Sequence, residues 1–222
     1  IELEFEKIMY PFMLYTKKRY AYVEWTQPDK SDKLDFKGLP IIRRDNCQYV
    51  KDSCIDMLNI IMYEQNVEKA KNMAKKTVTD LLNNKINMKK LKISKSLSNT
   101  YKIDGVDTKW DDPRIKHPHV HIARELKKID PMNHPKPPDR VPYVFIQNKN
   151  KKALQYEKVC HPDYLGKKKI DTLYYFQHQL KNPIDVIFEI LIPDTSVLYK
   201  DEERKKINKN AGLQDIRNFF KF

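Results

Sequence analysis

Glycine is scarce in this chain: only 4 of its 222 residues are glycine. Loops that hold phosphate groups need glycines at short fixed spacings, because the backbone must turn tightly and approach the phosphates closely. The sequence contains neither a Walker-type nor a dinucleotide-binding pattern. A nucleotide site of either kind is therefore excluded.

Cysteines and long apolar runs are also few. Cys47, Cys54 and Cys160 are irregularly spaced and form no Cys-x-x-Cys pair, so we expect no zinc site and a reducing, intracellular compartment. No apolar segment approaches the length needed to span a bilayer, and the start does not resemble a signal peptide. We predict no membrane partner.

What the chain has in excess is positive charge. Its 43 Lys and Arg residues outnumber its 30 Asp and Glu residues, which gives a net charge of +13 and an isoelectric point near 9.4. This balance favours a polyanionic partner, with nucleic acid as the leading candidate. A basic protein of membrane surfaces would need an amphipathic helix with a clean apolar face, and none stands out. Because 40% of the residues are hydrophobic, we expect a folded core.

Hydrophobic patterning predicts an α+β fold in which strands come first and helices follow. Residues 1–45 alternate like strands, including a short strand at LPIIRR. A helix is expected from Asp45 or Asn46, either of which can cap it, and a second helix is expected over 67–84. The residues expected to be buried in these helices recur at helical spacing: Val50, Cys54, Met57, Leu58, Ile61, Ala70, Met73, Ala74, Val78 and Leu81.

Shorter elements follow in the second half of the chain. The expected elements are a strand or extended segment at LKISKSLS, a short helix at HVHIARELKKI, a loop at NHPKPPDRVP and a strand at YVFIQN. The stretch IDTLYYFQHQLKNPIDVIFEIL predicts a helix that is interrupted near Pro183, followed by a second helix. The charged stretch KDEERKKINKN is expected to be solvated.

Three adjacent cations, Lys17, Lys18 and Arg19, precede the strand-like AYVEW. Neighbouring like charges on a strand repel one another and gain nothing structurally, so an anionic ligand should offset their cost. Side chains on a strand beside a duplex could also reach minor-groove acceptors, which every base pair presents in nearly the same place. We predict a sequence-independent contact with DNA at this point.

Two other basic segments each allow two interpretations. Nine lysines and no arginines lie between Asn66 and Lys95, and they form either a solvated face or a surface that follows phosphates. Arg43, Arg44 and Asp45 provide either phosphate contacts or an Arg–Asp pair that braces the start of a helix.

The chain offers little that predicts catalysis or metal binding. His117, His119 and His121 share a face only if their segment is extended, whereas the local pattern is a turn followed by a helix. Surface or capping histidines therefore fit better than metal ligands. No carboxylate pair and no Ser/His/Asp set is supported by spacing, so we predict no catalytic residue and no metal site here.

The segment TKKRYAYVEW resembles the Lys-Lys-Arg-Tyr motif near the end of the palm in family B DNA polymerases, of the delta type and of large viruses. Further segments are similar to the same family in the same order: DFKGLPIIRRDNC, ISKSLS, HVHIARELKKIDP, DRVPYVFI and IDTLYYFQHQLKNPIDVIFEIL. The resemblance spans about 190 residues.

The resemblance implies a division of the chain and a role for each part. Residues 1–45 would be the C-terminal part of the palm, 46–208 a mainly helical thumb with a small β element, and 209–222 a tail. The chain would grip primer–template DNA during templated 5′-to-3′ synthesis by a DNA-directed DNA polymerase. The residues implied to contact DNA are Lys17, Lys18, Arg19, Tyr20, Arg43, Arg44, Ser94, Lys95, Ser96, Asp139, Arg140 and Tyr143.

The motifs that carry chemistry in this family do not occur in the sequence. Family members hold their metal-binding aspartates in Asp-x-x-Ser-Leu-Tyr and Tyr-Gly-Asp-Thr-Asp motifs, and bind the nucleotide through a lysine of the fingers. Two-metal nucleotidyl transfer requires those carboxylates. The resemblance implies that Mg²⁺ and the dNTP are bound outside this chain, which should be inactive alone. The opening residue, Ile1, fits a fragment or a split-gene subunit.

The last residues resemble a sliding-clamp-binding peptide. In LQDIRNFF, Ile216, Phe219 and Phe220 match the three apolar anchors of such peptides, although Leu213 stands where glutamine is expected. The alternative is a terminal helix that docks its own aromatics on the thumb. No cysteine-rich metal module follows Asp201, and together with the Asn/Lys-rich composition this favours a large DNA virus. The chain would then act in the nucleus or at a viral replication site in the host cytoplasm.

One hypothesis from a different class stays open. A stand-alone basic DNA-binding or polymerase-accessory protein without catalytic activity would share the same charge and the same contacts with DNA. The two hypotheses differ in whether the aspartate motifs are encoded ahead of Ile1 or in a copurifying partner.

Overall fold

The structure is a computed structural model. It describes residues 4–27, 29–41, 43–150 and 152–210. These residues form two compact units: one holds the described residues of 1–42, 50–83 and 176–222, and the other those of 43–49 and 84–175. Each unit contains antiparallel strands and helices, so the predicted α+β class is confirmed. These units do not follow the expected division at 45–46, because the first unit also holds residues of the expected thumb, and the palm and thumb ranges stay predictions.

The first unit begins with a three-stranded antiparallel sheet. Its strands are β1 (Ile8–Thr16), β2 (Arg19–Trp25) and β3 (Lys33–Lys37), in that order across the sheet. β2 is central and contributes three buried residues, Ala21, Tyr22 and Val23. The strand predicted at LPIIRR does not form, since the described residues of this segment lie outside any strand. Pro40 has no N–H to donate to a ladder, and residues 40–41 adopt a turn instead.

Helices make up the rest of the first unit. α1 (Gln48–Met62) begins two residues after the predicted cap at Asn46, and α2 (Val67–Leu82) begins after the cap Asn66, whose side chain accepts a hydrogen bond from Lys69 N at 2.9 Å. The predicted buried positions of both helices are confirmed except Met73, which is half-buried.

The α-helix predicted to be interrupted near Pro183 is interrupted just ahead of that residue, but by a π-helical turn and not by a break, and Pro183 itself lies inside the second helix. The chain is helical from α5 (Thr172–Tyr175) through a π-helical turn (Phe176–Leu180) into α6 (Lys181–Phe188). A proline inside an α-helix removes a hydrogen bond and crowds the carbonyl four residues before it. The wider π turn directly ahead of Pro183 accommodates both effects, and the proline is buried.

A 3₁₀ turn (Thr195–Leu198) and α7 (Lys200–Asn210) complete the described part of the first unit. α7 has no buried residue, in agreement with the solvation predicted for KDEERKKINKN. Lys206 Nζ donates to the main-chain oxygen of Leu82 at 2.6 Å, which links α7 to the end of α2.

The second unit is built on short strands. β4 (Ile93–Ser96), β7 (Arg140–Phe145) and β8 (Val159–Cys160) form one antiparallel sheet in that order, and β5 (Thr100–Ile103) pairs with β6 (Val106–Lys109) in a separate hairpin. The strands predicted around LKISKSLS and YVFIQN both form, but β7 begins at Arg140, within the predicted loop NHPKPPDRVP, and ends at Phe145. The β5–β6 hairpin was not predicted, although its Asp104-Gly105 turn is a typical hairpin signal.

Three helices and two 3₁₀ turns accompany these strands among the described residues of this unit, and the last of the helices is α5. α3 (Met88–Leu91) leads into β4, and α4 (Pro118–Ile129) coincides with the helix predicted at HVHIARELKKI. The 3₁₀ turns cover Gln155–Glu157 and Pro162–Tyr164. Among the described residues, no helix has both the length and the apolar character required to cross a membrane.

Candidate nucleic-acid interface

Lys17 and Lys18 form the two-residue turn between β1 and β2, and only Arg19 and Tyr20 belong to a strand. This corrects the expectation that all three cations lie on a strand. Thr16 pairs with Arg19, so the antiparallel register leaves the two lysines as the connection. Both lysine side chains are exposed, and neither has an ion-pair partner in the described part of the chain.

Gly38 supports this lysine turn from behind. Its φ of +67° lies in the left-handed region, and Lys18 also has a positive φ of 66°. A β-carbon at position 38 would overlap the main-chain oxygen of Lys18 and lie 3.1 Å from Cγ of Arg19. Only glycine satisfies both constraints, so Gly38 fixes the path of the turn. Sequence reasoning missed this residue, although a glycine directly after a strand was the signal.

Arg19 and Tyr20 anchor the base of the turn. Arg19 is half-buried, and its guanidinium lies 4.0 Å from the carboxylate of Glu189. The Tyr15 hydroxyl donates to the main-chain oxygen of Ile187 at 3.2 Å, which links β1 to the end of α6. The ring of Tyr20 stacks on Phe12 with a centroid distance of 5.6 Å. These contacts restrict the motion of the strands that carry the two lysines.

In the second unit, Arg140 joins two serines across the β4–β7 pair. Its Nε donates to Ser94 Oγ at 3.2 Å, its Nη1 donates to Ser96 Oγ at 3.3 Å, and its Nη2 donates to the main-chain oxygen of Ser94. Each serine oxygen accepts from the arginine, so each hydroxyl proton is left to donate elsewhere. An exposed guanidinium with two such hydroxyls presents several donors to a phosphate.

The pleat of β4 separates Lys95 from this group. Successive side chains of a strand point to opposite faces, so Lys95 lies on the face opposite Ser94 and Ser96. Its partner across the ladder is Val141, which is buried. The sequence analysis grouped the three residues of β4 together, and the structure divides them.

Two of the predicted contacts are parts of the protein framework. Tyr143 is only 4% exposed and packs edge-on against Phe145, so it belongs to the core and cannot present its ring to a duplex. Burial also raises the pKa of its hydroxyl. Asp139 uses its carboxylate to accept from Lys136 N at 2.9 Å, and its main-chain oxygen accepts from Leu97 N at 2.8 Å. A carboxylate would repel phosphate, so Asp139 shapes the loop before β7.

The Arg43–Arg44–Asp45 segment contains the internal pair that was one of its two interpretations. Arg43 Nε lies 3.5 Å from the Asp45 carboxylate, and Arg44 is exposed. Because both partners of the pair are solvent-exposed, it contributes little to stability. The pair does not prevent either guanidinium from binding a phosphate, so this part of the site stays a prediction.

The lysines between Asn66 and Lys95 divide between the two units. Those of α2 belong to the first unit, and those from Lys85 onward belong to the second. Lys69 pairs with Glu64 and Lys71 with Glu68, each at 2.6 Å. These pairs favour a solvated face for the start of α2.

The histidines differ from the expectation of surface or capping residues at one position. His117 caps α4 as an exposed residue, but His119 is 6% exposed and its Nε2 lies 2.9 Å from the Tyr101 hydroxyl. Burial, with positive charge from His117 and Lys95, lowers the pKa of His119 to about 4.

No group of three or more His, Cys, Asp or Glu residues in the described ranges could hold a metal ion. Ile216, Phe219 and Phe220 lie outside the described residues.

Comparison with known proteins identifies the family. The family model for DNA polymerase family B matches residues 1–191. The chain is 39% identical over 198 residues to the DNA polymerase delta catalytic subunit of Glycine max, and 35% identical over 223 residues to that of Dictyostelium discoideum. These matches cover 88% and 99% of this chain. The chain belongs to DNA polymerase family B.

The chain is much shorter than these relatives. It spans 17% of the Glycine max protein and 19% of the Dictyostelium protein. Among solved structures, the family B DNA polymerase from the hyperthermophilic archaeon Pyrobaculum calidifontis matches with a TM-score of 0.57 and 22% identity. That match covers 81% of this chain and 21% of the other, and it shows a shared fold.

Proposed function

We propose that this chain is the part of a replicative DNA polymerase that grips primer–template duplex during templated 5′-to-3′ synthesis. The observation that carries the proposal is the turn of Lys17 and Lys18: two adjacent exposed ammonium groups on a turn that Gly38 fixes from behind. Two cations held at fixed positions suit phosphates at fixed spacing along a duplex. In-line phosphoryl transfer requires the reacting atoms to be placed within a narrow tolerance, and a duplex held at fixed points would keep the primer end in place.

Arg140, with Ser94 and Ser96, supports the proposal from the second unit. Its guanidinium is exposed, and the two hydroxyls beside it can turn their protons toward a phosphate oxygen. Contacts of this kind position a protein on DNA without selecting a sequence. In this account residues 1–45 act as the end of the palm and 46–208 as the thumb.

The metal chemistry of the proposed reaction belongs elsewhere. The described residues offer no donor set for Mg²⁺. We propose that the aspartates and the dNTP site are supplied outside this chain and that the chain alone is inactive. The sliding-clamp contact through Ile216, Phe219 and Phe220 and the viral source remain predictions from the sequence. The stand-alone binding protein is not favoured, because the relatives are catalytic subunits.

The experiment that tests this proposal measures binding of a fluorescent primer–template duplex by the full chain. Substituting both lysines (Lys17→Gln with Lys18→Gln) should lower the affinity about tenfold or more at moderate salt. The log–log salt slope should become shallower by about 2, since each phosphate contact contributes about 0.9. The matched control removes two exposed lysines of the β5–β6 hairpin (Lys102→Gln with Lys109→Gln) and should change affinity far less. Equal losses of affinity in the two variants would reject a specific contact by the lysine turn, because the chain's net charge alone would then explain binding.

A further inference from the structure

We propose that a cavity beside α4 and β8 is the docking site for an acidic peptide of a partner protein. The peptide would insert one bulky apolar side chain into the cavity and place a carboxylate against Lys168. The cavity has a volume of about 350 Å³ and lies wholly within the second unit. None of its lining residues is among those assigned to DNA, so the inference goes beyond the proposed function and does not depend on it.

The floor of the cavity is apolar. α4 supplies Ile122, Leu126 and Ile129, whose spacing of three to four residues places them on one side of the helix. Ile146, which follows β7, and Val159 of β8 complete the floor. The volume is near the lower limit of ligand pockets, which span roughly 300 to 1,000 Å³. It suits a single bulky side chain better than an extended cofactor.

The mouth of the cavity is also apolar. Two of the lining residues, Ile129 and Tyr164, are 59% and 51% exposed. Large apolar side chains left in water around a concave site mark a surface that contacts another molecule. A small molecule within the cavity would leave both side chains in water, whereas a peptide lying across the mouth would cover them. Protein interfaces commonly bury one such anchor in a pocket.

The two carboxylates that line the cavity already have partners. Glu125 accepts a hydrogen bond from Lys128 Nζ at 2.8 Å, which also neutralises its charge. Glu157 Oε2 accepts from Leu154 N at 2.7 Å, at the start of a 3₁₀ turn. Both carboxylates are therefore part of the protein framework around the cavity.

Lys168 is the lining charge without an opposite charge beside it. Its Nζ lies 3.5 Å from Cys160 Sγ, and within the described ranges it has no carboxylate partner. Burial lowers the pKa of His121 and of His161, so both rings are neutral near pH 7 and act as hydrogen-bonding groups. A carboxylate of the bound peptide would supply the missing partner for Lys168.

Charge also separates this occupant from two others. A second copy of this chain carries the same net charge of +13 and would be repelled, whereas an acidic peptide would be attracted. Duplex DNA fits poorly, because the apolar floor offers no donors to phosphates and Glu125 and Glu157 would repel them.

The test begins by selecting random short peptides, displayed on phage, against the immobilised full chain. Enriched sequences should contain a bulky apolar residue flanked by Asp or Glu. A fluorescent copy of one enriched peptide then measures affinity by anisotropy, and Ile129→Asp should weaken binding about tenfold or more. Selection against a Lys168→Glu chain should instead enrich Lys or Arg beside the apolar residue, because the charge that recognises the flank has changed sign.

Two matched controls lie on the β5–β6 hairpin, outside the cavity. Val106→Asp places the same charge at an apolar residue that is 66% exposed, and Lys102→Glu makes the same change of net charge as Lys168→Glu. Both controls should change peptide affinity far less than the cavity variants. Because Ile129 and Val106 are exposed, neither substitution to Asp should disrupt folding, and chemical denaturation checks this.

Amide chemical shifts locate the bound peptide. In ¹⁵N spectra of the full chain, the enriched peptide should shift the amides of Ile122, Leu126 and Val159. Enrichment of no acidic apolar sequence, equal losses of affinity in the cavity and control variants, or shifts confined to other residues would each overturn the proposal. Displacement of the peptide by primer–template duplex, or self-association that Ile129→Asp abolishes, would assign the cavity to DNA or to a second copy and would also overturn it.

Discussion

Gly38 leaves no space for a β-carbon beside the main-chain oxygen of Lys18. The two residues belong to different connections of the same sheet, one between β1 and β2 and the other after β3. A residue with no side chain therefore controls where two ammonium groups are held.

The first prediction concerns this relationship. Gly38→Ala should lower the free energy of unfolding by about 2 kcal/mol or more, because alanine must adopt a positive φ and also displace the Lys18 carbonyl. It should weaken duplex binding as well, because the lysine turn must shift. Chemical denaturation and duplex titration measure the two effects.

Gly105→Ala is the matched control for Gly38→Ala. Gly105 also has a positive φ, +81°, but a β-carbon there would meet nothing within 4 Å. The Gly105→Ala variant should lose about 1 kcal/mol of unfolding free energy through backbone strain alone, and its affinity for duplex should not change. If the two variants behave alike in both assays, the steric role of Gly38 is contradicted.

The second prediction concerns the donor group at β4 and β7. Arg140→Lys keeps the charge but cannot bridge Ser94 and Ser96, because an ammonium lacks the planar fork of a guanidinium. Duplex affinity should fall several-fold while the unfolding free energy changes by less than about 0.5 kcal/mol, as expected for a surface residue. Unchanged affinity would show that only the charge at position 140 matters.

The third prediction concerns pH and His119. Its pKa is lowered to about 4 in the folded chain, mainly by burial, so the unfolded chain binds the proton more tightly. Neutral His119 therefore contributes to the free energy of unfolding above the ordinary histidine pKa of about 6.5. This contribution, roughly 2 to 3 kcal/mol, is lost as the pH falls toward 4. Urea unfolding at pH 7.5 and pH 4.5 measures the loss.

His119→Gln isolates that contribution. Glutamine can still accept from the Tyr101 hydroxyl, but it does not titrate. The variant should lose clearly less stability between the two pH values than the unsubstituted chain. His121 and His161 also have pKa values lowered by burial, and they contribute equally to both proteins. Identical pH dependence in the two proteins would contradict the assignment to His119.

The fourth prediction concerns Asp185 of α6, whose carboxylate binds two residues of the segment that follows the helix. Asp185 Oδ1 accepts from the Tyr199 hydroxyl at 2.9 Å and from Thr195 Oγ1 at 2.6 Å. Asp185→Ala leaves both donors without this acceptor and should cost about 2 kcal/mol of unfolding free energy. Asp163→Ala, at a highly exposed carboxylate, should cost less than about 0.5 kcal/mol. Similar losses of unfolding free energy in the two variants would contradict a stabilising role for the Asp185 hydrogen bonds.

Much of the fold followed from the sequence because local signals and tertiary packing agree. The stripes of α1 and α2 and the strands near LKISKSLS and YVFIQN carry clear periodicity. The interruption predicted near Pro183 takes the form of a π turn three residues ahead of the proline, an adjustment that a propensity rule does not include. LPIIRR has strand-like composition, but Pro40 and the following turn prevent pairing.

The site was harder to predict because it depends on side-chain direction and burial. The Ser-Lys-Ser alternation of β4 was visible in the sequence and could have placed Lys95 on a separate face. The burial of Tyr143 and His119 depends on neighbours far along the chain, which no local pattern encodes. Likewise, the overlap between Gly38 and Lys18 exists only once three strands are paired.

The central claim is that the chain holds duplex DNA through phosphate contacts without selecting a sequence. The most direct measurement is the affinity of the full chain for two duplexes of equal length and unrelated sequence between 50 and 200 mM salt. The account predicts equal affinities and a common negative log–log slope that becomes shallower when Lys17 and Lys18 are replaced. A flat salt response, or a strong preference for one sequence, would contradict it.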